Sequence, residues 1–477
     1  MSPENPGQER RSLAAILADF VHATGFADLP DAIRVIARRH VLDTLGCCLC
    51  ATRLDTSRSL ARYLLSEGGV SQATALGVPQ RLPAAQAAFM NGLLARSLEF
   101  DDMAMPDLHP SGSIVPVVLA LSEWQGASGQ DAIAATAIGL ELCLRLGRAG
   151  FDHATRTSRF LQRGQDATAI CGTLAGSAVA AKLLGLDAHG IANAIGIAVS
   201  LASGSLEANR SGGTIKRFQS GWAAKSGIQA AMLTKFGIDG PRQAIEGRYG
   251  FYQCFVDGQF DPGMLTDGLG SVWRISSLRF KPYPSNYYTH AGIDAALALS
   301  QKGLRVHEID SARLAVAQAM LHTVGEPLDR KQTPRTAYEA KFSAPYTVAS
   351  ALIGGSSLGL GIKDFTDDLV RDPARQALML KIAVTSDPRC DAIFPDQAPA
   401  ILSVMTRDGR DLSEEVLVNR GGPERPLTDE ELAIKFSDNC SEVMRPEMAK
   451  ALGAAVDRIE EAADVAEIVR ILGTVTG

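Results

Sequence analysis

The chain has 477 residues, 46% hydrophobic and 21% charged, so it contains enough apolar sequence for a large core and has a length typical of about two or three domains. Its net charge is −6 and its basic residues are scattered, which excludes the clustered positive face of a nucleic-acid-binding protein. No segment contains about eighteen uninterrupted apolar residues, which excludes a membrane-spanning helix.

The N-terminal region predicts a tail followed by helices. We expect residues 1–11 to be disordered and an amphipathic helix to follow them, because Asp19 interrupts the apolar run that a twin-arginine signal after Arg10 and Arg11 would need. The protein is therefore expected in the cytoplasm. The CxxC within HVLDTLGCCLCATRL has no second CxxC pair to complete a zinc site, so we expect buried, reduced thiols there.

Helical periodicity dominates the next part of the chain. Residues 167–204, ATAICGTLAGSAVAAKLLGLDAHGIANAIGIAVSLASG, predict two Ala/Gly-rich helices joined at GLDAHG. The stretch SGWAAKSGIQAAMLTKFGIDG predicts another helix, with Gly237 and Gly240 as stop signals. Small residues on both faces indicate helices that pack closely against one another, since bulky side chains would hold the backbones apart.

The character of the sequence then changes. SVWRISSLRFKPYPSN contains β-compatible residues and two prolines, and ILSVMTRDGRDLSEEVLV alternates around Asp408-Gly409, which predicts a β-hairpin. THAGIDAALALSQKG and FSAPYTVASALIGG predict helices between these stretches. The sequence therefore predicts a mainly α fold. A large, discontinuous all-helical domain at residues 12–270 and 421–477 is interrupted by an inserted, smaller α+β lid domain at residues 271–420.

The stretch LEFDDMAMPDLHPSG concentrates four carboxylates and one histidine within eleven positions: Glu99, Asp101, Asp102, Asp107 and His109. A helical magnesium site would need carboxylates on one face and a second ligand set. Pro106 interrupts such a helix, and DNCSEVMRPE has Arg445 where the second set would need a carboxylate. His109 has no helical HxxxH partner for zinc. The sequence therefore favours a site without a metal.

Acid/base chemistry requires a group that titrates near neutral pH, and His109 supplies one at an irregular turn before an apolar helix. The alternative is that Asp107 caps this turn and His109 only hydrogen-bonds to it. Lys216, in GGTIKRFQSGW, precedes a helix start where backbone N–H groups could meet an anion. Lys281 lies in FKPYPSNYY, at the change between domains. The alternative for each lysine is an exposed, solvated side chain.

Five stretches, in order and with compatible spacing, resemble the MmgE/PrpD family over nearly the whole chain. They are RSLEFDDMAMPDLHPSGSIVPVVLALSE, ATAICGTLAGSAVAAKLLGLD, EANRSGGTIKRFQSGWAAKSGIQAAML, KPYPSNYYTHAGIDAAL and FSAPYTVASALIGG. The family includes 2-methylcitrate dehydratase, cis-aconitate decarboxylase and iminodisuccinate epimerase. The resemblance implies a homodimer of two-domain subunits that uses no metal or organic cofactor and acts on a small di- or tricarboxylate.

The resemblance also implies the site residues by position. The catalytic residues implied are Asp102, His109, Lys216 and Lys281. The substrate-binding residues expected beside them are Glu99, Met103, Asp166, Arg210, Arg217, Gln219, Tyr283 and Asn286.

The chain departs from the family at several of these positions. The family commonly has aspartate where Glu99 stands, and its decarboxylase branch has threonine where Met103 stands. It often has histidine where this chain has Asp166, Gln219 and Asn286. Amides orient a substrate but do not exchange protons near pH 7, so proton transfer should depend more on the remaining titratable groups.

The sequence predicts a cofactor-independent carbon–oxygen lyase (a hydro-lyase) of the 2-methylcitrate dehydratase type. Removal of a proton α to a carboxylate creates an enolate-like dianion, which Lys216 and Lys281 would stabilise. His109 would protonate the departing hydroxyl. Three alternatives stay open: an epimerase or racemase of an amino- or imino-dicarboxylate, a cis-aconitate-type decarboxylase, and a non-catalytic family member. The presence of His109 and both lysines argues against the last.

Overall fold

The computed structural model describes residues 11–105 and 108–473, and these are mainly α-helical, as predicted. Contacts within the chain define two compact units, each assembled from separate stretches of sequence. Unit 1 comprises Met1–Arg96, Asp107–Ser276 and Lys450–Gly477, and unit 2 comprises Ser97–Pro106 and Ser277–Ala449. No helix among the described residues is long and apolar enough to cross a membrane. The predicted disordered tail lies outside the described residues, except for Arg11.

Unit 1 contains the following helices from its first two stretches: α1 Leu13–Ala23, α2 Asp31–Ala51, α3 Asp55–Glu67, α4 Ala84–Arg96, α5 Ser111–Gln125, α6 Gly129–Ala149, α7 Arg159–Gln162, α8 Ala167–Leu183, α9 Ala188–Leu201, α10 Glu207–Ser211, α11 Gln219–Lys235, α12 Phe251–Val256 and α13 Pro262–Thr266. A short antiparallel pair, β1 Phe151–Asp152 and β2 Thr157–Ser158, precedes α7. The predicted Ala/Gly-rich pair is confirmed as α8 and α9. Cys47, Cys48 and Cys50 are buried within α2, as expected.

Local signals explain where these helices begin and end. Asp166 caps α8 and Asp187 caps α9, each through a carboxylate oxygen that accepts a backbone N–H from the first turn. Beyond α11, Gly237 adopts a φ of 88°, a conformation that favours glycine and stops the helix. These cap and stop residues are visible in the sequence, so the helix bounds were predictable.

Glycines allow α4 and α11 to approach closely. A Cβ atom on Gly221 would lie 2.2 Å from the carbonyl oxygen of Phe89 and 2.9 Å from the backbone nitrogen of Leu93. A Cβ atom on Gly92 would lie 2.5 Å from the Cα atom of Gly221. The two backbones are therefore in contact without intervening side chains, which confirms the predicted close packing of small-residue helices.

A buried arginine anchors the loop that follows α13. Arg145, on α6, is 0% exposed, and its Nε lies 2.6 Å from Glu141 Oε1. The other Glu141 oxygen accepts the backbone N–H of Ile275 at 3.0 Å. The guanidinium also donates to four main-chain carbonyls, those of Met264, Leu265, Asp267 and Val272. This ion pair is thus satisfied on both sides, as a buried pair must be.

Unit 2 combines helices with a four-stranded sheet. Its helices are α14 His290–Gln301, α15 Gln318–Val324, α16 Leu328–Gln332, α17 Ala337–Ala340, α18 Ala344–Ile353, α19 Asp367–Val370, α20 Pro373–Met379, α21 Pro388–Ile393 and α22 Asp429–Cys440. Its strands are β3 Ile309–Val316, β4 Ile382–Ser386, β5 Ala400–Thr406 and β6 Asp411–Val416, in the order β4-β3-β5-β6. Two further helices follow, α23 Pro446–Asp457 and α24 Ala466–Gly473. The boundary at which the chain returns from unit 2 to unit 1, at Lys450, falls within α23.

The sheet of unit 2 has one parallel and two antiparallel pairings. Strand β3 pairs in parallel with β4 and antiparallel with β5, and β5 pairs antiparallel with β6. The predicted hairpin at Asp408-Gly409 is confirmed, with Gly409 at a φ of 86°. In the register, Leu314 of β3 stands beside Val384 and Leu402, so the middle of the sheet is apolar. Unit 2 is therefore α+β, and its role as a lid stays a prediction.

The boundaries of the units differ from the predicted domain boundaries at residues 270 and 420, and the segment Ser97–Pro106 belongs to unit 2. Met103 donates its N–H to the carbonyl of Arg279 at 2.9 Å, and Arg279 donates its N–H back to the carbonyl of Met103 at 2.8 Å. These bonds join residues far apart in sequence. The local helical pattern therefore could not indicate that the segment Ser97–Pro106 belongs to unit 2.

Candidate functional site

In unit 1, His109 stands at an irregular turn directly before α5, as predicted. Its side chain is almost entirely buried, and its backbone N–H donates to the hydroxyl of Thr168 at 3.0 Å. Thr168 lies in the first turn of α8, so two helix starts meet at this histidine. Asp107, the alternative cap of this turn, and Pro106 lie outside the described residues.

Two predicted substrate-binding residues lie on a connected set of contacts around the start of α8. The backbone N–H of Asp166 donates to the carbonyl of Gly204 at 3.2 Å, and its Oδ1 accepts the N–H of Ala169 at 3.2 Å. Gln219, at the start of α11, donates its Nε2 to the carbonyl of Ser205 at 2.5 Å. Because Thr168 follows Asp166 on the same helix turn, the structure brings His109, Asp166 and Gln219 into one region of unit 1.

The other amide atom of Gln219 is a buried acceptor. Within residues 11–105 and 108–473, no donor forms a hydrogen bond with Gln219 Oε1, although this oxygen has almost no exposed surface. A buried acceptor without a donor is unfavourable, typically by about 1–3 kcal/mol. This oxygen is therefore suited to accept a hydrogen bond from a substrate hydroxyl.

The predicted cations of unit 1 have different surroundings. Lys216 lies in the 3₁₀ helix Ile215–Phe218, directly before α11, and is partly exposed. The guanidinium of Arg217 donates to the hydroxyl of Thr56, on α3, at 3.3 Å. The side chain of Arg210 lies outside the described residues. Lys216 and Arg217 thus both lie directly before the helix that begins at Gln219.

In unit 2, Lys281 lies beside the predicted acidic stretch. Its side chain is 1% exposed, and its Nζ lies 3.3 Å from the carbonyl oxygen of Glu99 and 3.7 Å from Glu99 Oε2. Glu99 is also buried and has a φ of 55°, an uncommon conformation for any residue except glycine. Such backbone strain persists only where surrounding contacts fix it, and it is frequent at functional sites.

The next two carboxylates are also buried: Asp101 is 2% exposed and Asp102 is 1% exposed. Two further lysines bind the backbone beside them. Lys341 Nζ donates to the carbonyl of Leu98 at 2.6 Å, and Lys435 Nζ donates to the carbonyl of Phe100 at 2.8 Å. The sequence predictions did not include these two lysines.

A sequence signal for Lys435 exists in the pattern of α22. The buried positions of this helix follow a stripe at spacings of three and four residues: Leu432, Lys435, Phe436, Asn439 and Cys440. A lysine on the apolar stripe of a helix indicates a buried cation and, hence, a specific partner. Lys341 precedes the quoted stretch FSAPYTVASALIGG by one residue and carries no comparable signal.

A buried histidine, His290, completes the group of titratable side chains in unit 2. Its Nε2 lies 3.2 Å from the carbonyl oxygen of Ser285, which can only accept a hydrogen bond. Nε2 therefore carries the proton, and Nδ1 is the unprotonated nitrogen of the neutral ring. Burial lowers the pKa of His290 well below its ordinary value of 6.5, and the positive charge of Lys281 lowers it further. The ring is therefore an uncharged base at neutral pH.

Tyr283 and Asn286 have local partners. The Tyr283 hydroxyl donates to Asp294 Oδ1 at 2.5 Å and accepts from Arg420 at 3.3 Å. Burial raises the pKa of Tyr283 well above its ordinary value, and the Asp294 carboxylate raises it further. Asn286 Oδ1 accepts the N–H of Tyr288 at 3.1 Å and so caps a short 3₁₀ helix. Their predicted role in substrate binding stays a prediction.

The predicted residues thus fall into two groups. His109, Asp166, Lys216 and Gln219 belong to unit 1, and Glu99, Asp102, Met103 and Lys281 belong to unit 2. In the part of the chain that the structure describes, no three His, Cys, Asp or Glu side chains are arranged to hold a metal ion. The group in unit 2 offers a buried ammonium ion, Lys281, beside the Glu99 carboxylate. The group in unit 1 offers an imidazole, a carboxylate, an amide and a lysine.

Comparisons with known proteins cover nearly the whole chain. Residues 15–262 match the model of the MmgE/PrpD N-terminal domain, and residues 283–461 match that of the MmgE/PrpD C-terminal domain. The chain is 27% identical over 474 residues to a cis-aconitate decarboxylase of Mus musculus, with 97% of this chain and 93% of the relative covered. It is 25% identical over 481 residues to a 2-methylcitrate dehydratase of Cupriavidus necator, with 95% and 96% covered.

Proposed function

The chain belongs to the MmgE/PrpD family, and we propose that it is a lyase that removes a proton α to a carboxylate of a small di- or tricarboxylate. More specifically, we propose a hydro-lyase of the 2-methylcitrate dehydratase type that works without a cofactor. The similarity to a 2-methylcitrate dehydratase of Cupriavidus necator covers 95% of this chain, which supports the reaction class.

The observation that carries the proposal is the burial of Lys281 beside Glu99, in the acidic stretch that also contains Asp101 and Asp102. An ammonium ion with 1% exposure is costly to bury, so its position has a specific purpose. Charge–charge attraction is much stronger in a poorly solvated site than in water. A cation fixed there would stabilise the enolate-like dianion as its charge develops, and this is often the largest contribution to catalysis.

The residues suggest a role for each step of a dehydration. We assign Asp102 as the base that takes the proton from the carbon α to a carboxylate, which leaves the electron pair on an enolate-like dianion. As the family resemblance implies, Lys281 and Lys216 would stabilise that dianion. His109, in its protonated form, donates a proton to the departing hydroxyl, so water leaves as the carbon–carbon double bond forms. Gln219 Oε1 would accept a hydrogen bond from a substrate hydroxyl.

A second candidate reaction is decarboxylation of a cis-aconitate-like substrate. It is favoured by the relatives with 27% identity, which are cis-aconitate decarboxylases of Mus musculus and Homo sapiens. Against it stands Met103, which has no hydroxyl at a position where the decarboxylase branch was expected to have threonine. The same cations would serve both reactions, which differ in the bonds that break. Dehydration removes a proton from carbon and gives a proton to the departing hydroxyl, whereas decarboxylation breaks the bond to CO₂ and adds a proton to carbon.

Proton NMR in D₂O, with citrate, 2-methylcitrate, cis-aconitate and iminodisuccinate as separate substrates, tests the proposal. A new, shifted methyl singlet from 2-methylcitrate, whose methine signal is lost, or a new alkene proton signal from citrate supports the hydro-lyase. Loss of CO₂ from cis-aconitate supports the decarboxylase instead, and deuterium entry into iminodisuccinate without other change supports an epimerase. Absence of change in all four would refute the proposed lyase activity on these substrates.

Two related expectations are also proposals. We propose that the protein is a homodimer, as the family resemblance implies, and that it acts in the cytoplasm. Sedimentation equilibrium of the purified protein tests the first, because a homodimer has twice the mass of the 50.5 kDa chain. A single species of one chain at micromolar concentration would contradict it.

A further inference from the structure

Three consecutive backbone carbonyls of the acidic stretch each accept a hydrogen bond from a different buried lysine. Lys341 binds the carbonyl of residue 98 at 2.6 Å, Lys281 binds that of residue 99 at 3.3 Å, and Lys435 binds that of residue 100 at 2.8 Å. The lysines are 8%, 1% and 1% exposed, respectively. All three belong to unit 2, but they come from distant parts of its sequence.

Packing alone does not explain this arrangement. A buried ammonium ion costs far more free energy than an apolar side chain of similar size, so a methionine would fill the same space more favourably. Lys435 Nζ also lies 4.0 Å from the centre of the Phe100 ring, so it contacts this residue through both the carbonyl and the aromatic face. The contacts specify the orientation of the backbone.

The fixed carbonyls determine where the following carboxylates lie. With residues 98–100 held by lysines and Met103 held by its two hydrogen bonds to Arg279, the short stretch that contains Asp101 and Asp102 is restrained at both ends. The same contacts surround Glu99 at its φ of 55°. Strained backbone of this kind needs contacts that over-determine it, and the lysines supply them.

We propose that Lys341 and Lys435 are positioning residues, which hold the backbone of residues 98–100 so that Asp102 keeps the orientation needed for proton transfer. This inference rests on the proposed function, in which Asp102 is the base. It separates the two lysines from Lys281, which has a carboxylate oxygen of Glu99 at 3.7 Å and is assigned to the substrate charge.

The variants Lys341→Met and Lys435→Met remove the ammonium ions and keep the apolar stems. Lys302→Met is the matched control, because Lys302 is an exposed lysine of unit 2 that pairs with Glu414 on the surface. Two measurements are made on the full chain: hydrogen–deuterium exchange of the peptide that covers residues 98–105, and kcat and KM on the substrate identified by NMR.

We expect backbone amide exchange of residues 98–105 to rise by about tenfold or more in each Met variant, since a hydrogen bond from a charged donor is lost. We expect kcat to fall by about tenfold to a hundredfold and KM to change by less than about threefold, because a misoriented base slows chemistry without removing the substrate cation. The control should match the wild type in both measurements.

Unchanged exchange, or a raised KM with an unchanged kcat, would overturn the proposal, and the second result would make the lysine a substrate ligand. If Lys435→Met does not fold, Lys435→Gln keeps a neutral N–H donor and should give intermediate exchange. Wild-type exchange together with a reduced kcat would also overturn the proposal, because activity would then be lost without movement of the backbone. If the wild type turns over none of the four compounds, the proposed function fails, and the exchange measurement alone then decides whether the lysines hold the backbone.

Discussion

Replacing Gly221 by alanine tests whether direct contact between the backbones of α4 and α11 stabilises unit 1. The added Cβ would lie 2.2 Å from the carbonyl oxygen of Phe89, which is about 1 Å closer than a carbon and an oxygen atom normally approach. Neither atom is on a flexible side chain, so the two helices must separate. Alanine can relieve no strain at this position, because Gly221 lies within a regular helix.

The expected change in the free energy of unfolding is the difference between two effects. Overpacking against a backbone atom costs about 3 kcal/mol, at the upper end of the usual range, and replacement of a helical glycine by alanine recovers about 1 kcal/mol. The net loss is about 2 kcal/mol, which should lower the Tm of a unit of this size by about 3 °C. Gln219 lies one turn or less away, so kcat/KM should fall as well.

Gly176→Ala is the matched control for this variant. Gly176 also lies within a buried helix, but the nearest atom to its added Cβ is Val117 Cγ2, at 3.5 Å, which is an ordinary contact. Alanine should therefore leave the Tm unchanged or raise it by about 1 °C or more. Differential scanning calorimetry of both variants is the assay. A Tm for Gly221→Ala equal to or above that of Gly176→Ala would refute the reasoning.

Two further predictions concern buried charges, each in a different unit. Arg145→Met should lower the free energy of unfolding by about 3–5 kcal/mol in urea titrations, since it leaves the Glu141 carboxylate buried without its cation. Adding Glu141→Gln to this variant should recover part of the lost stability. No recovery would contradict the ion-pair explanation. The wild type should lose stability faster than His290→Gln as the pH falls below 6.5, because the unfolded chain then binds a proton that the folded, low-pKa His290 does not. Above pH 6.5 the His290 ring is neutral in both the folded and the unfolded chain, so the stability of the two proteins should depend on pH equally there. Equal pH dependence below pH 6.5 as well would show that His290 is not buried as a neutral base.

Local signals made much of the fold predictable. Helices α8, α9 and α11 follow from periodicity, from caps such as Asp166 and from stops such as Gly237, all of which lie within a few residues of the helix ends. The hairpin at Asp408-Gly409 follows from turn chemistry. The parallel pairing of β3 with β4 joins strands separated by many residues and six helices, so no local pattern could indicate it.

The candidate site was predictable only in part, for the same reason. Lys281 is buried and contacts Glu99. Only the family resemblance indicated that both residues belong to the candidate site, because nothing in the sequence around either one predicts this contact. Lys341 has no local pattern that distinguishes it from a surface lysine, because its partner, the carbonyl of Leu98, is 243 residues away. The assignment of the acidic stretch to unit 2 depends on contacts of this long-range kind.

Turnover by Lys281→Met, measured by proton NMR in D₂O on the substrate that the wild type converts, tests the central claim most directly. If a buried cation stabilises the dianion formed by proton removal, kcat should fall by about 10²- to 10³-fold while the folded protein is retained by circular dichroism. The exposed Lys302→Met should retain wild-type turnover. A folded Lys281→Met protein with kcat within about twofold of the wild type would contradict the account.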